Sequence, residues 1–210
     1  MAMVRRPDAS GAIAWAIPVA ALVWVVIFAW RPANFWALMA VGVGGLGCLA
    51  LRIRGGFPIV EGIRAGDLGT GAASAAVLYG VFLLGRAVVG RLVPLAPQEI
   101  TSVYALRSQA PAWVIAILLL LVIGPGEELF WRGVVQWGLV RRLGPGVGWA
   151  AATAIYGAVH LAAGNPMLIV AALVAGGFWG LLYLRIGRIA PLVVSHVVWD
   201  LLVFLVLPFR

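Results

Sequence analysis

Charge is sparse in this chain of 210 residues, and cysteine and histidine are rarer still. Only 10% of the residues are charged, lysine is absent, and all fifteen basic residues are arginines. The single cysteine, Cys48, excludes an internal disulfide and leaves no metal-type cysteine spacing. Because Cys48 lies in an apolar run, we interpret it as a small packing residue. The arginines are scattered between apolar runs, so the net charge of +8 does not indicate a nucleic-acid partner.

Apolar residues dominate the composition instead, at 64% of the chain with a mean hydropathy of +1.08. Such values are typical of polytopic membrane proteins. A bilayer span needs roughly 20 mostly apolar residues. We therefore predict an all-α membrane helix bundle forming a single domain, 1–210, with about seven transmembrane helices, within a range of six to eight. The candidate spans are 12–30, 35–51, 70–90, 112–140, 147–163, 167–184 and 189–207.

Arginine placement predicts the orientation of these spans. With a cytoplasmic N-terminus, nine arginines fall at the cytoplasmic ends of spans and four at the outer ends, in agreement with the positive-inside rule. Arg86 and Arg132 remain within spans. The apolar run 13–30 is longer than a secretory signal core, and no clear cleavage site follows it, so we expect a retained first helix. The expected location is the membrane of a bacterial cell.

Several ionisable groups nevertheless lie within the last four spans. They are Glu127, Glu128, Arg132, His160, His196 and Asp200. One charged residue at the bilayer centre costs about 3 kcal/mol on insertion scales, and four would cost on the order of 10 kcal/mol without compensation. These groups must therefore pair inside the bundle or line a water-filled cavity. Intramembrane ionisable residues of this kind are candidates for function.

The spacing of the first three groups predicts how they pair. Glu128 and Arg132 are separated by four residues, so they share one helix face and can form a salt bridge. Glu127 points roughly 100° away around the helix and needs another partner, which makes it the candidate general base. The preceding segment 124–126, Gly-Pro-Gly, is expected to kink or break the helix.

The remaining groups show the same helical spacing. His196 and Asp200 are four residues apart, so Asp200 could orient the imidazole of His196, or the two could form a polar clamp between helices. His160 follows Tyr156 by four residues and falls closer to the outer end of its span. A histidine in that position could instead be an interfacial residue.

Three short motifs therefore occur in order within apolar spans: Glu127-Glu128-x-x-x-Arg132, Tyr156-x-x-x-His160 and His196-x-x-x-Asp200. Together they resemble the motifs of the CPBP intramembrane proteases, which include type II CAAX prenyl endopeptidases and bacterial relatives linked to bacteriocin immunity. The family's second motif begins with Phe, so Tyr156 is a mild departure. The resemblance covers a family core at about 112–205.

By this resemblance the chain is an intramembrane endopeptidase. Glu127 would activate a water molecule with the help of His160, and His196 with Asp200 would support the oxyanion of the tetrahedral intermediate. An ionised aspartate cannot donate a hydrogen bond. Asp200 is therefore either protonated or serves to orient His196. Glu128 and its arginine partner would hold the motif helix in place.

The resemblance leaves the cofactor and the partners open. Two histidines and a glutamate could bind zinc with one position left for water, but resemblance to the CAAX endopeptidases favours a metal-free water, so no cofactor is expected. The expected partners are a membrane protein or peptide substrate and the lipid bilayer. The alternatives are a non-catalytic membrane scaffold or immunity-type binding protein, and a haem protein with His160 and His196 as axial ligands.

Overall fold

The computed structural model describes residues 9–54 and 63–209, and within these ranges it contains helices and no strands. The eight helices of the described residues are α1 (Ala9–Trp24), α2 (Phe35–Arg54), α3 (Ala65–Leu92), α4 (Ala96–Ala105), α5 (Ala112–Leu143), α6 (Pro145–Val159), α7 (Pro166–Ile186) and α8 (Ala190–Leu201). Short helical segments of a different type continue four of them. Val25–Trp30 after α1 and Leu202–Val206 after α8 are π-helical, and Leu106–Gln109 after α4 and His160–Ala163 after α6 are 3-10 helical.

Six of these helices are long and apolar enough to cross a membrane, namely α2, α3, α5 and α7, and α1 and α6 with their continuations. The predicted seventh span, 189–207, is a shorter apolar helix that covers Ala190–Val206. The prediction of an all-α polytopic membrane bundle is therefore confirmed. The protein is an integral membrane protein.

The helix α4 is an element that the sequence analysis did not predict. Asn165 ties it to the start of α7, because its side-chain amide donates to the Glu99 carbonyl at 2.9 Å and to the Ser102 hydroxyl at 3.0 Å. The indole of Trp36 on α2 donates to the Leu106 carbonyl at 2.9 Å. These contacts hold α4 against the ends of α2 and α7.

The expected break of α5 at residues 124–126 does not occur. Gly124 has helical dihedrals (φ −56°, ψ −50°), and the helix continues through π-helical turns at Leu119–Ile123 and Trp131–Gln136. Proline is tolerated within membrane helices where local π-helical adjustment satisfies the freed backbone groups. The prediction of a break was wrong because the widened turn before Pro125 accommodates the proline within a continuous helix.

The glycines of this segment instead bring neighbouring helices close. A Cβ atom on Gly124 would lie 2.7 Å from the Val197 side chain on α8. A Cβ atom on Gly126 would lie 2.8 Å from the Val43 carbonyl oxygen on α2. Small residues at such contacts let membrane helices pack backbone to backbone. The segment therefore positions α5 between α2 and α8.

Cys48 is not the packing residue that its apolar surroundings indicated. It is exposed, whereas the adjacent Gly47 is buried against α5, with Gly126 Cα 3.1 Å from the position of an added Cβ. Successive helical residues point about 100° apart, so Cys48 points away from α5 while Gly47 faces it.

The two halves of α3 differ in their contacts. Its buried residues all lie in the first half, where Gly71 meets α8 so closely that an added Cβ would be 2.5 Å from Val194 Cβ. Asp67 caps this end of the helix and accepts a 2.6 Å hydrogen bond from Arg188, in the connection between α7 and α8. The second half carries no buried residue and forms one wall of a cavity that includes Phe82 and Arg86.

Candidate active site

A cavity of about 320 Å³ lies within the bundle. Its walls come from α2 to α8 and from the segments that continue α1 and α6, and most of the lining side chains are apolar. The four candidate catalytic residues all line it: Glu127, His160, His196 and Asp200. The structure thus brings together groups that three different spans contribute. Each is buried, at 4–6% exposure.

Glu127 receives a hydrogen bond from a neighbouring helix. The Tyr156 hydroxyl on α6 donates to Glu127 Oε2 at 2.6 Å, a distance typical of a charge-assisted O–H···O⁻ bond. The described residues provide no further hydrogen bond to the carboxylate, and Glu127 faces the cavity. The partner that the sequence analysis required for Glu127 is therefore a tyrosine hydroxyl.

Glu128 forms the centre of a second polar cluster, behind the cavity wall. Arg132 Nη1 donates to Glu128 Oε1 at 2.9 Å, which confirms the predicted salt bridge. Arg132 Nη2 also donates to the Gly176 carbonyl on α7 at 3.1 Å. His196 Nδ1 on α8 lies 2.7 Å from the same Glu128 oxygen. Of the two adjacent glutamates, Glu128 is thus the one that contacts a histidine. The cluster joins α5, α7 and α8.

His196 is held firmly on the cavity wall. Besides its bond to Glu128, its ring stacks on Trp179, with ring centroids 3.9 Å apart. The Trp179 indole is fixed in turn by a 3.0 Å bond to the Ser195 hydroxyl. His196 Nε2 lies 3.6 Å from Asp200 Oδ2, which is too long for a hydrogen bond but close enough for electrostatic attraction. Because Nδ1 is engaged, Nε2 is the nitrogen available to a ligand.

His160 uses both ring nitrogens within the protein. Nδ1 lies 2.7 Å from the Tyr156 carbonyl oxygen, and the Trp24 indole donates to Nε2 at 3.2 Å. A carbonyl only accepts and an indole N–H only donates, so Nδ1 carries the proton and Nε2 accepts. Among the described residues, His160 makes no hydrogen bond to Glu127. An axial haem bond from Nε2 would require His160 to leave Trp24.

The positions of the side-chain donor atoms also test whether the two histidines and Glu127 could bind zinc. Within residues 9–54 and 63–209, no group of three or more histidine, cysteine, aspartate and glutamate side chains is close enough to hold a metal ion. Glu127, His160 and His196 share a cavity, but the histidine nitrogens point to Trp24, the Tyr156 carbonyl and Glu128. This arrangement does not fit a zinc site built from the two histidines and Glu127.

A comparison with protein families identifies the segment that carries these residues. Residues 109–202 match the family described as type II CAAX prenyl endopeptidase Rce1-like. This segment belongs to the CAAX protease-like family. The match covers slightly less than half of the chain and contains all three motifs. No curated protein and no solved structure matches the chain significantly.

The sequence analysis did not predict the roles of several residues around the CAAX protease-like site. Trp24 lies outside the matched segment and 136 residues from the histidine that it contacts, so nothing in the sequence pointed to the pair. Arg86 was noted only as an arginine within a span, and it lines the cavity from the exposed half of α3. Tyr156 had a signal, since it replaces the phenylalanine of the family motif. Its hydroxyl is the atom that bonds Glu127.

Proposed function

We propose that this CAAX protease-like protein is an intramembrane endopeptidase that hydrolyses a peptide bond with a water molecule activated by Glu127. The observation that carries the proposal is the placement of this buried carboxylate on the wall of a cavity between the helices. The cavity volume of about 320 Å³ lies at the lower end of the range for ligand pockets, about 300–1,000 Å³. It is large enough for a short stretch of peptide with its attacking water.

In the proposed reaction Glu127 removes a proton from the water as its oxygen attacks the carbonyl carbon of the peptide bond. The carbonyl π electrons move to oxygen and form a tetrahedral oxyanion. As the intermediate collapses, the C–N bond breaks and Glu127 returns the proton to the leaving nitrogen. The products are a carboxylic acid and an amine, and the glutamate ends in its initial state.

His196 supports this reaction as the donor to the oxyanion. His196 lines the cavity with Nε2 free of hydrogen bonds to the described residues, while Glu128 and Trp179 fix the ring. A preorganised donor aimed at developing negative charge is worth about 3–4 kcal/mol in comparable sites. Asp200 lies 3.6 Å from Nε2, which supports a role in attracting the protonated imidazole and orienting it rather than in donating to the substrate.

The substrate class follows from the cavity's surroundings. Its walls are mainly apolar side chains of helices that cross the membrane, so the proposed substrate is a membrane protein or a membrane-bound peptide. We propose a metal-free reaction, because both ring nitrogens of His160 are engaged with protein groups and Glu128 holds Nδ1 of His196. The proposed setting is a bacterial membrane, with the N-terminus in the cytoplasm.

The polar cluster also favours a second function. Glu128, Arg132 and His196 tie three helices together, as a non-catalytic membrane scaffold or immunity-type binding protein would require. In that case the motifs would serve packing alone. The two functions predict different consequences of changing Glu127, because Glu127 contributes to the cavity and does not belong to this cluster.

The decisive experiment is Glu127→Gln in the full chain, reconstituted in liposomes with a library of membrane-anchored peptides and analysed by mass spectrometry. The amide keeps an oxygen that can accept from Tyr156, so the fold should persist. We expect cleavage by the wild-type protein, its retention with a zinc chelator, and a loss of at least about 1,000-fold in the variant. A well-folded Glu127→Gln protein that still cleaves, or a wild-type protein that cleaves no peptide, favours the scaffold.

A further inference from the structure

We propose that the Tyr156 hydroxyl, rather than His160, is the group that positions the Glu127 carboxylate for catalysis. The inference rests on the proposed function, since it assigns a role in the reaction of Glu127. It concerns the residue at which this chain departs from the phenylalanine of the family motif. Tyr156 is a positioning residue in this scheme, because it acts through the carboxylate.

The first support is the contact itself. The hydroxyl lies 2.6 Å from Glu127 Oε2, with both residues only 6% exposed. The terminal torsion of a glutamate is broad and weakly restrained by its own geometry. A short bond to Oε2 therefore fixes the carboxylate plane and leaves Oε1 as the oxygen for an attacking water. A phenylalanine at this position would leave that torsion free.

The second support is that the tyrosine ring is itself held in place. Trp131 packs edge-on against it with centroids 5.0 Å apart, and the Arg132 guanidinium lies 5.3 Å from the ring centroid. On α7, Gly176 leaves room for the ring, because an added Cβ would lie 2.7 Å from Tyr156 Cδ1. The hydroxyl is thus delivered to Glu127 by a side chain that three helices constrain.

The third support concerns His160, which by the resemblance would help Glu127 to activate the water molecule. Its Nε2 accepts from Trp24 and its Nδ1–H bonds the Tyr156 carbonyl, so neither nitrogen is directed to Glu127. Its ring also packs edge-on against Tyr156, with centroids 4.8 Å apart. His160 therefore supports the tyrosine, and Trp24 of α1 supports His160.

The test is Tyr156→Phe in the liposome assay, with a peptide that the wild-type protein cleaves. Tyr79→Phe is the matched control, since it also removes one hydroxyl bond, to the Leu207 carbonyl at 3.0 Å, and does not line the cavity. Because a hydrogen bond to a charged group is lost, we expect kcat to fall by roughly 10- to 100-fold in Tyr156→Phe, with KM and the thermal midpoint unchanged. Tyr79→Phe should keep its kcat. An unchanged or increased kcat in Tyr156→Phe overturns the inference, as does a loss explained by a lower thermal midpoint.

A second readout is independent of activity. Infrared spectra of protein with isotope-labelled tyrosine report the C–O stretch of its four tyrosines. Glu127→Gln should shift one of these bands, and that band should vanish in Tyr156→Phe. Tyrosine bands that do not respond to Glu127→Gln overturn the contact on which the inference depends. Cleavage that survives Glu127→Gln instead refutes the proposed function, while the shifted band would still report the contact.

Discussion

Replacing Arg132 with leucine should be among the most destabilising single changes in the chain. Arg132 is 2% exposed and its partner Glu128 is 0% exposed. The substitution removes the 2.9 Å bond to Glu128 and the 3.1 Å bond to the Gly176 carbonyl. Glu128 Oε2 already has no partner among the described residues, so the variant would leave a buried carboxylate with His196 alone.

The magnitude depends on which effect dominates. Hydrogen bonds between membrane helices contribute about 0.6 kcal/mol on average, and on that basis the loss of the bond from Arg132 to the Gly176 carbonyl would be modest. Removing one partner of a buried ion pair costs about 3–5 kcal/mol, however, because the remaining charge is uncompensated. We expect the second effect to dominate for Arg132→Leu. Glu128→Gln combined with Arg132→Leu should be less destabilised than Arg132→Leu alone, since the double variant buries no unbalanced carboxylate.

Tryptophan fluorescence during thermal unfolding in detergent measures these differences, and the ten tryptophans provide a strong signal. For a protein of this length, about 3–5 kcal/mol corresponds to a fall in the midpoint of roughly 6–20 °C. Strictly additive effects in the double-mutant cycle, or a loss under about 1 kcal/mol in Arg132→Leu, would refute the reasoning that Glu128 depends on its arginine.

Two further changes test packing and the role of the last motif. Gly126→Ala places a methyl group 2.8 Å from the Val43 carbonyl, and since backbone cannot move aside cheaply, it should cost about 1–3 kcal/mol in unfolding experiments. Gly45→Ala, two residues from Val43 on the exposed side of α2 and with nothing within 4 Å of an added Cβ, is its control and should not destabilise. Asp200→Asn should lower kcat less than tenfold in the cleavage assay, because an amide can still orient the imidazole, whereas His196→Gln should abolish cleavage. Equal losses in the two variants would contradict an orienting role for Asp200.

Hydropathy was sufficient to predict the membrane helices, because a run of roughly 20 apolar residues matches the thickness and polarity of the bilayer core. The prediction failed for α4, whose polar composition reads as a connection. This helix is held by Asn165 and Trp36 from distant parts of the chain. Such contacts cannot be predicted from the sequence of the helix itself. The break expected at Gly124 did not occur, because the π-helical turn before Pro125 accommodates the proline and the sequence analysis did not predict that turn.

The site shows the same division between local and distant contacts. The pairing of Glu128 with Arg132 followed from helical spacing alone. The contact between His196 and Glu128 spans 68 residues, and the contact between Tyr156 and Glu127 spans 29. Spacing identified these residues as candidates but could not predict which histidine or hydroxyl contacts which carboxylate.

Those distant contacts give the two adjacent glutamates different environments. Neighbouring helical residues point in different directions, so Glu128 turns into the packed interior and Glu127 turns toward the cavity. Glu128 meets two groups that can carry positive charge, Arg132 and His196, and both contact its Oε1 atom. Glu127 meets one neutral hydroxyl and open space. A group that must exchange a proton with water has to retain an accessible oxygen, and of the two acids only Glu127 faces the cavity.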